Sequence, residues 1–345
     1  MNKLQQRLLS LAQQCIESVA AIQPRGGTFS DPSEQTRADY LQLGRVLMQR
    51  VRNDAHDLQT VVTSTSSPRT FQKRMAALRY FLHARHYDLM VSLRQSQNEQ
   101  QRALQGELEV HLNALRAFAA VQQTGLEGTR EKRKSKRRAL HGLPDNWRET
   151  LYERSKTGKY GAAIITAALS GCRPAELKSG VYISRTFDET LRSEVIRIEI
   201  AGAKVKARQG QTRRIISYST SSDHPLVTAM NLLLDHHANP ELHVKIANPV
   251  NFTVEIRRLG KLLWPSHRHA VTAYCLRHQW AADAKRTQDA DSVSRGLGHA
   301  CAKTRRNYGQ AQQANWKTAL SPIDISAARP IRSVTREQCL QQPHA

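Results

Sequence analysis

Apolar positions recur at helical spacing along the first third of the chain and turn to strict alternation only later. In residues 1–21, Leu4, Leu8, Leu9, Leu11, Ile16 and Val19 fall broadly on one side, which predicts an amphipathic helix. A break at Gln23-Pro24-Arg25-Gly26-Gly27 and Ser30-Asp31-Pro32-Ser33 follows. Ser33 then reads as the N-cap of a helix over residues 34–57, with Tyr40, Leu41, Leu43, Val46, Leu47 and Val51 as its apolar face. Residues 61–67 read as a polar, β-branched turn. Ser67-Pro68 opens the next helix, with serine as cap and proline where its missing N–H costs nothing. That helix, near residues 68–85, sets Arg69, Lys73, Arg74 and Arg79 beside Phe71, Met75, Leu78 and Phe81. The basic stripe suits a helix packed on a core and facing phosphates; an ordinary solvated face is the plainer reading. Helical spacing continues over residues 87–122.

The second half opens with a short helix at residues 147–154 and an apolar, buried one at 160–169. Arg173 sits at a break, Pro174 opens a short helix, and Glu176 lies nearly one turn on, where it can pair with an arginine. Ile196, Ile198 and Ile200 then alternate with Arg197 and Glu199, as in a half-buried strand; Val195 is the one apolar residue on the polar side. A second β segment spans residues 214–219, and the connection AKVKARQGQTRR reads as a basic hairpin. Helices return at residues 225–237, 251–263, 274–285 and 290–297. The tail from Ser321, with Pro322, Pro330 and Pro343, reads as extended. No internal repeat is evident. The pattern divides the chain into an N-terminal helix and linker (1–30), a helical domain (31–125), a basic linker (126–143), an α+β domain (144–320) and a tail (321–345).

Charge changes this picture. The chain has 345 residues, with 52 Lys and Arg against 29 Asp and Glu, a formal net charge of +23. Such an excess repels itself unless a polyanion is near, so nucleic acid is the leading partner, with a membrane surface as the rival. No apolar run reaches transmembrane length and the first residues lack a signal-peptide pattern, which favours the cytoplasm. In residues 129–138 seven of ten are basic: Arg130, Lys132, Arg133, Lys134, Lys136, Arg137 and Arg138. The run has no apolar anchor and reads as an exposed linker lying along DNA, or as a plain solvated charge run. Aromatic residues make up 6% of the chain, so base stacking is not the obvious mode of recognition. Cys15, Cys172, Cys275, Cys301 and Cys339 are scattered and never form a C-x-x-C pair, which argues against a zinc site or a disulfide framework.

The candidate chemistry is concentrated between Tyr274 and Tyr308. Arg277 and His278 share one segment, His299 follows Gly298, and Tyr308 closes the run. Arginine offers a charged fork that matches phosphate, histidine donates a hydrogen bond or moves a proton, and tyrosine is a nucleophile once deprotonated. Together they point to attack on a phosphate ester without a metal or other cofactor. Taken singly, Arg277 and His278 could be the wet face of a helix, Gly298 a helix C-cap, and Tyr308 a core aromatic.

Arg173 in GCRPAEL, a lysine in the basic hairpin, Arg277 in YCLRH, His299 in LGH and Tyr308 stand in that order. The set resembles the catalytic domain of the tyrosine recombinases, the phage-integrase family, over roughly residues 145–312. Residues 34–120 resemble the family's helical core-binding domain by architecture alone. The resemblance implies a mainly α fold with a small β-sheet in the catalytic domain. It implies Tyr308 as nucleophile, Arg173 and Arg277 on the scissile phosphate, and His299 as a third activating group. The general acid would be Lys204, which follows Gly202-Ala203, with Lys206 as the alternative. One departure stands out: the family has histidine three residues before the second arginine, and here that position is Tyr274. His267 and His269 are near but out of register.

The family chemistry forms a 3′-phosphotyrosyl bond and frees a 5′-hydroxyl, which conserves bond energy for rejoining. The resemblance further implies a homotetramer that works through a Holliday junction, with the two domains clamping DNA. The apolar tail residues Ile323, Ile325 and Ile331 suit docking on a neighbouring subunit; a disordered tail is the plainer reading. It implies a bacterial, nucleoid-associated enzyme serving integration, excision or resolution of a mobile element, with a possible second recombinase or DNA-bending protein as partner. Two other readings of the same residues are a non-cleaving DNA-binding protein of this fold and a type IB topoisomerase. A third is a basic helical structural protein in which the motif run is accidental.

Overall fold

A computed structural model describes residues 3–23, 32–53, 57–96, 100–126, 136–205, 209–236 and 240–332. Two compact units divide between Arg133 and Lys134. The described chain is mainly helical with one small antiparallel sheet. Among the described residues no helix is long and apolar enough to cross a membrane.

The first unit contains α1 (Lys3–Ala21), α2 (Glu34–Asn53), α3 (Leu58–Thr63), α4 (Pro68–Gln95) and α5 (Gln101–Thr124). Helix α1 is not an appendage: Leu8, Leu11, Cys15 and Val19 enter the same core as Leu78, Leu82, Leu108, Leu112 and Phe118. Helix α2 stops earlier than its pattern predicts. Asp57, placed in that helix by periodicity, instead caps the next one, its Oδ1 accepting from Thr60 N at 2.5 Å. The predicted turn at residues 61–67 is thus partly α3, with Val61 and Val62 buried. Ser67 caps α4 as expected, its Oγ accepting from Thr70 N at 3.3 Å. Helix α4 runs unbroken past Arg85, where the sequence reading ended it.

Helix α4 also corrects part of the basic stripe. Arg69 and Lys73 are exposed, but Arg74 turns inward. Its Nη1 donates to Val61 O at 3.1 Å, Val62 O at 3.0 Å and Ser64 Oγ at 3.0 Å. It closes the open carbonyl end of α3 rather than waiting for phosphate. Arg79 Nε likewise donates to Ile22 O at 2.9 Å and its guanidinium lies over the Phe118 ring. Arg130, Lys132, Arg133 and Lys134 lie outside the described residues, as does the side chain of Lys136. The linker ends sooner than read: residues Lys136–Leu140 form a 3-10 turn whose Ala139 and Leu140 join the core of the second unit.

The second unit continues with α6 (Trp147–Ser155), α7 (Gly161–Ser170), α8 (Pro174–Ser179), β1 (Val181–Asp188), β2 (Ser193–Ala201), β3 (Arg213–Ser219), α9 (Pro225–Asp235), β4 (Glu241–Val244), α10 (Pro249–Leu263), α11 (Ala273–Thr287), α12 (Ala290–Gly296) and β5 (Asp324–Ala327). The sheet has the order β4-β1-β2-β3-β5 and every pairing is antiparallel. Strands β2 and β3 form the basic hairpin, with Ala201 opposite Arg213. Strands β1 and β4 have no counterpart in the sequence reading. The tail is part of the sheet: Ile325, expected on a neighbouring subunit, is buried in its own chain opposite Ile216, while Ile323 is exposed.

Helix α11 is buried along most of its length and organises this core. Trp280 is fully buried, and its Nε1 donates to Tyr218 Oη at 3.1 Å; that hydroxyl donates to Leu169 O at 2.6 Å. One indole therefore ties α11 to β3 and α7. On another side Asp283 faces Arg148 of α6 at 2.7 Å, both side chains almost fully buried.

Candidate active site

Arg173 is the N-cap residue of α8, held extended before Pro174. The carboxylate of Glu176, three residues on, reaches back to Arg173 N at 2.7 Å and to Arg173 Nη1 at 2.6 Å. Glu176 also takes a second arginine: Arg214 of β3 donates Nη1 to Oε1 at 3.2 Å and Nη2 to Oε2 at 2.8 Å. Both side chains of this pair are wholly buried. Burial alone would raise the Glu176 pKa, but Arg214, Arg277 and Arg173 hold it well below the usual carboxylate range. A single carboxylate thus aligns the arginines and leaves the cluster with net positive charge.

Arg277, one turn into α11, is 1% exposed. Two backbone carbonyls fix its fork: Nη1 donates to Gly171 O at 2.6 Å and Nη2 to Leu297 O at 2.5 Å. Its Nε is buried without a partner. Burial, then Arg173, push its pKa down to about 10, so it is charged at neutral pH. The Leu297 carbonyl comes from the end of α12, where Gly298 takes a left-handed φ of 64°. A side chain there would be strained and would press on Arg214, since a Cβ would lie 3.0 Å from Nη1. The turn sends His299 inward to 4% exposure, with both ring nitrogens unpartnered. Burial and the neighbouring arginines lower its pKa to about 2, which keeps the ring neutral.

Tyr308 follows a 3-10 turn, Ala302–Asn307, and lies among these groups. Arg277 Cζ stands 4.7 Å from its ring centroid, and the His299 and His278 rings lie 5.2 and 5.3 Å away. Arg277 and Arg173 are the positive charges that act on the phenol. Burial opposes ionisation of Tyr308, but the two arginines outweigh it and bring its pKa below the ordinary tyrosine value.

The structure therefore brings Arg173, Arg277, His299 and Tyr308 together, from four separate stretches of the chain. Arg277 and His278 are buried, not a wet helix face. Gly298 is a helix terminator as well as part of the site, and Tyr308 is a partly buried aromatic as well as a candidate nucleophile. Lys204 stands exposed at the start of the hairpin loop, outside the buried cluster, and Lys206 lies outside the described residues. The hairpin's return side is anchored beside the site: Gln211 N donates to Gly298 O at 3.2 Å and Gln211 Nε2 to His299 O at 3.0 Å. Tyr274, one turn before Arg277, is 38% exposed. His267 is engaged elsewhere, with Ala139 O at 3.0 Å from its Nε2.

Sequence reasoning overlooked Arg214 as a member of the cluster and gave His278 no role of its own. Arg214 carried a usable signal: in β3 it shares a face with Ile216 and Tyr218, so the alternation that buries them buries it. Among the described residues no three His, Cys, Asp or Glu side chains converge as a metal site requires. Comparison of the chain with protein-family models, with characterised proteins and with solved structures gives no match. What fold and site define is a basic, mainly helical protein whose second unit gathers arginines and histidines around one tyrosine.

The buried histidines make stability depend on pH. His224 caps α9, its Nδ1 accepting from Leu226 N at 3.1 Å, and burial followed by Arg148 lowers its pKa to about 4. Burial, then Arg277, lowers His278 to about 4. Folded values below the ordinary histidine value of 6.5 mean that these groups cost nothing above that pH. Stability is lost as pH falls from there towards about 4, each histidine contributing at most about 1.4 kcal/mol per pH unit. Glu176 acts at more acid pH, its stabilisation being lost as pH falls below the ordinary carboxylate range towards its depressed pKa. The melting temperature is expected to fall between pH 7 and pH 5; a flat profile would contradict this assignment.

Proposed function

We propose that the chain is a tyrosine-type site-specific DNA recombinase, with the second unit as its catalytic domain and the helical unit as its core-type DNA-binding domain. One observation carries the reading: two buried or half-buried arginines and a buried neutral histidine converge on the phenol of Tyr308. Negative charge on the non-bridging oxygens of a phosphodiester under attack would fall among donors already in place, and such preorganised electrostatics are commonly the largest part of a rate enhancement. Tyr308, as the phenolate, would attack phosphorus and form a 3′-phosphotyrosyl bond as the bond from phosphorus to the 5′-oxygen breaks. The leaving 5′-oxygen would take its proton from a lysine of the hairpin, Lys204 or Lys206. The 5′-hydroxyl of a partner strand would reverse the step, and a homotetramer working through a Holliday junction would pair the strands.

Arg69 and Lys73, with the basic run at 129–138, would contact phosphates on double-stranded DNA. Neutralising the seven basic residues of that run is expected to weaken binding to all sequences. Each lost phosphate contact should flatten the dependence of log K on log salt by about 0.9. An unchanged slope would show that the run does not touch DNA.

A second reading, a non-cleaving DNA-binding protein of the same fold, is favoured by Tyr274, which stands where the resembled family places a histidine. A phenol donates a hydrogen bond but is a poor base at neutral pH. Incubation with nicked duplexes taken from the DNA flanking the protein's own gene separates the two. A denaturation-resistant protein–DNA complex supports the recombinase. Tight specific binding with no such complex supports the non-cleaving protein.

A further inference from the structure

Lys285 lies eight residues beyond Arg277 on α11, where the mechanism above gives it no part. Its ammonium is turned onto the segment that carries Tyr308. Nζ donates to Arg305 O at 3.1 Å, to Tyr308 O at 3.2 Å and to Gly309 O at 2.5 Å. An ammonium has three donors, and three carbonyls take them, so Lys285 has none to spare for DNA. Only a compact, rotatable head serves three acceptors arranged around one point; arginine's planar fork does not.

The rest of that helix face fits the same purpose. His278, Ala282 and Lys285 recur at four- and three-residue spacing and line one stripe of α11. Gly309 lies on this stripe so closely that a Cβ would sit 2.0 Å from His278 O and 3.1 Å from Ala282 Cβ. His278 packs against the Tyr308 ring itself. The tyrosine is carried by a six-residue 3-10 turn, which by itself holds few internal hydrogen bonds. Contacts from α11 therefore add to those from α12 and from Arg332 in fixing it, and they are the ones that tie it to the helix of Arg277.

We propose that Lys285 is a positioning residue for the nucleophile: its three hydrogen bonds, with the close seat at Gly309, hold the Tyr308 segment on the helix that also carries Arg277. The role rests on the recombinase reading for its catalytic consequence, but the clamp itself does not.

Lys285→Met tests it with two measurements on the full chain. Hydrogen exchange of the backbone amides at 305–309, without DNA, is expected to accelerate, whereas exchange in α12 and β3 stays as in the wild type. The rate of covalent adduct formation on a nicked duplex is expected to fall by about a hundredfold, with DNA affinity unchanged, as for a displaced reacting group. Lys285→Arg should lie between the two. Unchanged exchange at 305–309 would overturn the clamp, and wild-type adduct formation would overturn its catalytic role. If the wild type itself forms no adduct, the recombinase reading fails and exchange alone judges the clamp. If Lys285→Met does not fold, Gly309→Ala is expected to show the same loosening and the same loss of rate. A Gly309→Ala protein with wild-type exchange and wild-type rate would overturn the proposal.

Discussion

Arg173→Ala is expected to slow DNA cleavage by about 10²- to 10³-fold while leaving most site binding intact, the loss that follows when one donor to a developing oxyanion is removed. Arg173 is the cleanest probe in the cluster because its side chain is 13% exposed and Glu176 keeps a second partner in Arg214. Removing it does not strand a buried carboxylate. Arg277 is different. It is buried and satisfies the carbonyls of Gly171 and Leu297. Arg277→Ala should therefore lose cleavage and stability together, about 1–3 kcal/mol for each carbonyl left unsatisfied. Single-turnover cleavage measured beside equilibrium binding separates the effects. Equal loss of binding and cleavage in Arg173→Ala would contradict a role on the scissile phosphate.

Glu176→Gln is expected to cost about 3–5 kcal/mol of folding stability, the range found when one member of a buried ion pair is removed. The reason is local. Arg214 is wholly buried, its fork is met by Glu176, and Arg173 and Arg277 lie close enough to repel it once the carboxylate is gone. The amide keeps the volume and some hydrogen bonding, so the loss reports charge. The conservative charged change Glu176→Asp retains the sign but not the reach, and should lie between. Denaturant unfolding checks both; a Glu176→Gln protein as stable as the wild type would mean that the arginines tolerate one another without a counterion.

Much of the fold is legible in the sequence where local rules decide it. Ser67-Pro68 opens α4 because capping chemistry and the fixed φ of proline are properties of those two residues. The alternation of Ile196, Ile198 and Ile200 marks β2 because the strand's buried face is continuous. Strand β1 is hidden because Arg185 and Phe187 share a face with Val181 and Ile183, and Phe187 runs out beyond the core to 56% exposure. Strand β4 has four residues and no pattern to read; it exists because β1 offers an edge to pair with. Arg74 looked like a phosphate ligand because α3, whose carbonyls it closes, was read as a turn.

The site divides in the same way. Arg173, Arg277, His299 and Tyr308 announce themselves by motif and order. Their supports do not: Arg214 and Lys285 matter through contacts 38 and 20 to 24 residues away in the chain, which no local pattern encodes. The depressed phenol pKa depends on Arg277 and Arg173 meeting at Tyr308 in space, and is equally invisible in one dimension.

The proposed reaction joins Tyr308 covalently to DNA. The direct measurement is to trap the protein on a nicked duplex, digest with trypsin and nuclease, and find by mass spectrometry which peptide carries the nucleotide. Cleavage after Arg306 and Lys317 isolates residues 307–317, in which Tyr308 is the sole tyrosine. A nucleotide held on that peptide through a 3′-phosphate, and lost in Tyr308→Phe, is the predicted result. A nucleotide on another residue, Tyr274 included, or an adduct that survives Tyr308→Phe, would show that Tyr308 is not the nucleophile.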